Sequence, residues 1–136
     1  MYKKLFIVGI SGVITVALGA FAAHGLEDKL TDYQKQVFET ASDYQFFHTL
    51  AMLGVLLLQQ QWDNRFLNYV FNTFLIGIIL FSGSLYLLAC ADILDIAGFK
   101  FILGPITPIG GTGLIIGWSL LSFAAYKGIK SKDGVQ

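Results

Sequence analysis

His24 and His48 are the only imidazoles in this chain, and each sits at the edge of a long apolar run. Histidine titrates near neutral pH and commonly ligates metals, so each is a candidate for proton relay or metal binding. His24 ends GAFAAH, within GAFAAHGL, and His48 ends TASDYQFFH, with Tyr44 four residues earlier on the same helical face and Gln45 nearby. Two imidazoles and a carboxylate such as Glu39 or Asp92 can hold a divalent metal, although no HExxH-type spacing supports one. Both histidines also have structural readings. His24 can donate to the free carbonyls at a helix end, with Gly25 in the left-handed position beyond it. His48 can tie its helix to a neighbour, as buried polar groups within membranes do. The structural readings are the expectation, so no catalytic residue, metal or cofactor is assigned. Cys90 is the only cysteine and reads as a small buried hydrophobe.

The elements that position these residues follow from the charge pattern. Of 136 residues, 55% are hydrophobic and 13% charged, and the net charge is zero. No basic surface points to nucleic acid. No charge occurs from Leu5 to Leu26, Tyr44 to Trp62, Phe66 to Ala91 or Phe101 to Tyr126. Each gap can hold the roughly 20 apolar residues that cross a bilayer core of about 30 Å, and a soluble bundle of this size would not need four of them. Backbone groups inside a bilayer must bond within their own segment, which makes these runs helices. The expected fold is all-α, a single domain over 1–136: an integral membrane four-helix bundle with spans near 5–24, 44–61, 66–90 and 107–126. Thr31 and Gln34 have the form of a capping box. After them Tyr33, Val37, Ala41 and Tyr44 recur at helical spacing on one face, with Phe38 beside them, which predicts a short amphipathic helix on the membrane surface between spans one and two. In GPITPIGG, Pro108 is expected to open span four as its first residue, with a re-entrant turn as the alternative.

Basic residues orient the spans. With four crossings, Lys3, Lys4, Arg65, Lys127, Lys130 and Lys132 share one side and Lys29, Lys35 and Lys100 the other. Six against three, in short loops, predicts both termini in the cytoplasm and the chain in the cell (inner) membrane. Lys3-Lys4, the first apolar run and Ala20-Phe21-Ala22 also suit a cleavable signal peptide. That run is longer than usual for one and carries glycines at packing spacing, so retention of the N-terminus is expected.

Lipid tails are as apolar as leucine, so spans associate through close backbone approach at small residues. Gly12 and Gly19 in span one, with Thr15 and Ala23, form one small face; Gly113 and Gly117, with Gly110, form another in span four. The expectation is that spans one and four touch closely, within the bundle or across a dimer. Gly111, Gly113 and Gly117 also make a GxGxxxG, but no strand precedes it and no acidic partner follows, so a dinucleotide site is dismissed. The orientation gathers His24, Tyr44, His48, Ser82, Ser84 and Thr107 in the outer leaflet as a candidate polar cluster.

GAFAAHGL, TASDYQFFH, FSGSLYLL (Phe81 to Leu88), GPITPIGG and the pair Gly117-Trp118 occur in the order that resembles a family of small four-span membrane proteins of unknown function. It includes bacterial YgdD and eukaryotic transmembrane protein 256. The likeness runs over about residues 5–126. Ala22 stands where the family motif reads GAFGAHGL, and a small residue is kept. The resemblance implies an uncleaved inner-membrane protein and brings no activity, cofactor or catalytic residues with it. The expected function is therefore a non-enzymatic accessory or interaction role. Its partners would be the lipid bilayer, other membrane proteins or a second copy. The alternative is a small oligomeric transporter or channel using the outer-leaflet cluster.

Overall fold

The computed structural model describes residues 1–26, 28–62 and 64–133, with side chains described through Gly128. Four helices account for nearly all of it: α1 (Tyr2–Gly25), α2 (Asp32–Gln61), α3 (Phe66–Ala89) and α4 (Lys100–Asp133), with a 3-10 turn at Ala97–Phe99 before α4. No strand occurs among the described residues. By length and composition α1, α3 and α4 are each apolar enough to cross a membrane. The helix α2 is 30 residues long and carries its charges in its first half.

Its start is set as the sequence suggests. The Thr31 hydroxyl accepts from the Gln34 backbone N–H and the Gln34 side chain accepts from the Thr31 N–H, a reciprocal capping box. The expected separate amphipathic helix is not separate. No proline or glycine lies between Thr31 and Leu53, so nothing breaks the helix, and it continues into the apolar stretch. Its buried stripe also differs from the expected Tyr33/Val37/Ala41/Tyr44 face. Phe38, Ala41, Gln45, His48, Thr49, Met52 and Val55 are buried, whereas Tyr33 and Tyr44 are exposed.

The helix α4 begins earlier than expected, at Lys100, and contains both Pro105 and Pro108. Neither proline opens it, and the 104–111 segment is helical rather than re-entrant. A proline inside a helix removes one backbone donor, here those that would reach Phe101 and Gly104. Both of these residues are exposed. Between them the Leu103 carbonyl accepts from the Thr107 hydroxyl at 3.3 Å, which adds a bond there and replaces neither of the two lost ones.

The chain packs each helix mainly on its sequence neighbour, α1 on α2, α2 on α3 and α3 on α4. The closest approach is α3 to α4. A Cβ on Gly110 would fall within 2.8 Å of the Phe81 Cα, and one on Gly117 within 2.6 Å of the Phe74 ring. At Gly113 a Cβ would meet the Gly77 Cα at 3.7 Å. The small face of α4 thus receives α3, not α1. Within one chain the expected meeting of spans one and four does not occur at these positions: around Gly12 a Cβ would find nothing within 4 Å, and at Gly19 it would meet only the Ser42 hydroxyl, at 3.9 Å. The α3 face supplies Phe74 and Phe81 opposite Gly117 and Gly110, and its own Gly77 opposite Gly113. The main core lies between α2 and α3, built on Met52, Val55, Leu67, Val70, Phe71 and Phe74. A smaller cluster of Leu26, Leu30, Phe38 and Ala89 closes the end that carries the 26–31 and 90–99 connections.

Candidate functional site

Three of the buried polar side chains, Gln45, His48 and Thr49, lie along α2, and each is hydrogen-bonded to a neighbouring helix. Gln45 is 5% exposed and spans three helices. Its Nε2 donates to the Ser11 carbonyl of α1 at 3.1 Å, and its Oε1 accepts from the Tyr86 hydroxyl of α3 at 2.9 Å. One turn on, the Thr49 hydroxyl donates to the Gln45 carbonyl at 2.7 Å and lies 2.6 Å from the Ser11 hydroxyl. Burying an amide or hydroxyl without a partner is costly, so these groups fix how α1, α2 and α3 dock.

His48 is 7% exposed and faces the other way, toward α4. Its Nδ1 lies 2.7 Å from the Tyr44 carbonyl, and its Nε2 lies 3.1 Å from the Trp118 indole nitrogen. A carbonyl only accepts and an indole N–H only donates, so Nδ1 carries the hydrogen and Nε2 is a lone pair. Aromatic rings surround the imidazole: Phe74 at 5.5 Å, Tyr44 at 5.8 Å and Trp118 at 6.1 Å between centroids, with Phe81 against Tyr44 at 4.6 Å. His48, Tyr44, Phe81 and Trp118 border an open groove of about 890 Å³ between α2 and α4, lined also by Phe47, Leu50, Leu114 and Ile115. A second space of about 420 Å³ adjoins it at Ala51 and Trp118 and continues to Gln61 and Leu121.

The six residues expected to cluster are divided by the structure among separate contacts. Tyr44 and His48 belong to the groove. Ser84 and Thr107 join α3 to α4 through their hydroxyls at 2.7 Å. Ser82 is 1% exposed, and among the described residues its hydroxyl has no hydrogen-bond partner. His24 is exposed in the last turn of α1. It makes no side-chain hydrogen bond among the described residues, so the expected His24 cap is not formed. Gly25 does not take the left-handed position either, because no described glycine has a positive φ. The helix closes through the Leu26 N–H on the Phe21 carbonyl, and Gly25 instead leaves room for the Phe21 ring, which a Cβ would meet at 2.7 Å.

Two of the residues considered for a metal, His48 and Asp92, make other bonds. Both His48 nitrogens are occupied, and Asp92 is held elsewhere, accepting from Lys100 and from Gln34 at 2.7 Å each. The hydrogen bond from the Lys100 ammonium, with its charge, holds the Asp92 carboxyl below the usual carboxylate range. Among the described residues no three His, Cys, Asp or Glu side chains converge as metal ligands.

Trp118, Thr49 and Ser11 were not expected in the polar set. The signal for Trp118 was available: an indole N–H in an apolar run needs an acceptor. What was not legible was which helix would supply it.

Comparison with known proteins agrees with this architecture. Residues 18–111 match the family described as "Protein of unknown function (DUF423)". A "UPF0382 membrane protein" of Haemophilus influenzae is 44% identical over 125 residues, covering 92% of this chain and 94% of that protein. The "UPF0382 membrane protein YwdK" of Bacillus subtilis is 39% identical over 129 residues, 91% of this chain and 98% of its own. The "UPF0382 inner membrane protein YgdD" of Escherichia coli is 37% identical over 130 residues, 90% and 88%. No solved structure matches the chain. With most of its length aligned to membrane proteins of one uncharacterised group, and with apolar helices of membrane-spanning length, the chain belongs to the DUF423 family of membrane proteins.

Proposed function

We propose that this protein is a non-enzymatic, four-span inner-membrane protein that works by lateral association, taking a helix of another membrane protein against the groove between α2 and α4. One observation carries the reading. The buried polar groups on α2 are spent on neighbouring helices, while a wide apolar groove stands open on the side of the bundle. From Tyr44 to Gln61 the groove's α2 bank is about 25 Å long at 1.5 Å per residue, close to a bilayer core of about 30 Å. A transport path would instead need polar groups left free along an axis.

Both termini are assigned to the cytoplasm, on the six-to-three distribution of Lys and Arg. Two of those lysines support an interfacial position at that end. The Lys4 ammonium lies over the Phe71 ring, and that of Lys127 over Phe66 and Phe123, cations seated on aromatic faces at the edge of the apolar layer. The printed name of the Escherichia coli relative supports the inner membrane.

The test places a photo-crosslinking residue at Leu50 or Ile115, on the two banks of the groove, in intact cells. A discrete protein adduct is expected from both positions and should be lost in Ala51→Leu, which adds bulk where the two spaces meet. Adducts with lipid alone, together with solute flux in proteoliposomes, would overturn the reading in favour of a small transporter.

A further inference from the structure

We propose that the His48–Trp118 hydrogen bond is a proton-operated latch between α2 and α4, closed by the neutral imidazole and released when Nε2 gains a proton. The Tyr44 carbonyl fixes the ring hydrogen on Nδ1, leaving Nε2 as the acceptor for the Trp118 indole. The chemical change is one proton bound at Nε2. Two N–H donors then face each other, and the bond is lost. Flipping the ring does not restore it, because imidazolium has a hydrogen on both nitrogens.

No neighbouring charge offers compensation. On α2 the titratable side chain facing the ring is Tyr44, stacked on it. The helix α3 presents Phe74 to the imidazole and Phe81 to Tyr44. The helix α4 presents Trp118, with Leu114 and Ile115 beside it along the groove. The helix α1 packs on the Gln45 and Thr49 side of α2, and has no titratable side chain from Leu5 to Ala23. A buried charge without a partner must find water, and the groove that His48 lines is open.

The position of the bond decides what it controls. Among the described residues it is the one side-chain hydrogen bond that joins α2 to α4. Tyr86–Gln45 and Gln59–Asn68 hold α2 to α3, and Ser84–Thr107 holds α3 to α4. Trp118 also packs on Phe74 at 5.1 Å between centroids, so α4 stays with α3 when the latch opens. Release therefore widens the α2–α4 groove and leaves the other seams shut. This holds whatever occupies the groove, so its failure and that of the lateral-association reading are separable.

The experiment uses the full chain in lipid nanodiscs, with Cys90→Ala and His24→Asn so that one histidine remains. Spin labels on Leu50→Cys and Ile115→Cys report the groove width, and nitrogen NMR of His48 reports its protonation. From about pH 8 to about pH 4, Nε2 should gain its proton and the Trp118 indole proton resonance should move upfield. With the same midpoint, the label distance should grow by about 2 Å or more, the scale of a helix shift. His48→Gln keeps an acceptor for the indole and gains no proton, so its distance should not change with pH. Trp118→Phe removes the donor, so His48 should still titrate while the distance no longer follows it. A wild-type distance that stays constant while Nε2 is protonated would overturn the latch, as would a full pH response in His48→Gln. So would an Nε2 that never binds a proton in this range.

Discussion

Gln45 uses both ends of its amide, one on α1 and one on α3. Gln45→Ala strands the Tyr86 hydroxyl and also removes the α2 donor from the Ser11 carbonyl, which keeps the Thr15 hydroxyl, whereas Tyr86→Phe removes only one partner. In membranes such side-chain bonds average about 0.6 kcal/mol and reach roughly 1.7. We expect Gln45→Ala to cost more than Tyr86→Phe in detergent melting, and the double variant to fall short of the sum by about one bond. Strict additivity would show that the Tyr86–Gln45 contact contributes nothing. Ser82 gives the opposite case. Its hydroxyl is buried without a partner among the described residues, and removing an unsatisfied polar group is neutral or favourable. Ser82→Ala should melt at or above the wild-type temperature; a clear drop would reveal a partner for that hydroxyl.

At the scale of helices, glycine matters where a neighbour fills the space it leaves. Gly110→Ala sets a methyl against the Leu80 and Phe81 backbone, which cannot move aside as a side chain can. A cost of about 1–3 kcal/mol is expected from such overpacking. Gly12→Ala meets nothing and should leave melting unchanged, and an equal loss at both positions would contradict the α3–α4 packing. The connection between α3 and α4 is held to α2 by Asp92, whose carboxyl is depressed chiefly by the Lys100 hydrogen bond. A depressed carboxyl stabilises the fold above its ordinary value of 3.8 and loses that contribution as the pH falls below it, through the folded value. The pair is solvent-exposed, so the effect is small. Wild type should melt slightly above Asp92→Asn near neutral pH, and the gap should close below that value. A gap that widens on acidification would reverse the sign.

For the whole molecule the prediction concerns sidedness. In a Cys90→Ala background, single cysteines at Asp32 and Lys132 should differ toward an impermeant maleimide in cells with a permeabilised outer envelope. Asp32→Cys should label and Lys132→Cys should not. The reverse pattern would invert the proposed topology, and with it the leaflet in which the His48–Trp118 pair sits.

How much was legible follows from the range of each interaction. The charge-free runs identified the long helices, because the cost of an unsatisfied backbone in lipid depends on composition and length alone. The start of α2 was legible for a similar reason: its capping box is made by residues three apart. The proline-containing start of α4 was misjudged because each proline removes a single donor, and only the folded chain shows that the two carbonyls concerned, Phe101 and Gly104, belong to exposed residues. The candidate site was half legible. His48 and Tyr44 share a face by their spacing of four, but Trp118 is 70 positions further on, and no periodicity links them. Likewise, small residues in α1 and α4 are equally visible in the sequence. Only the packed structure decides that α4 presses its glycines on the phenylalanines of α3 and that Gly12 of α1 meets open space. Such choices depend on which surfaces fit, a property of pairs of helices rather than of either one.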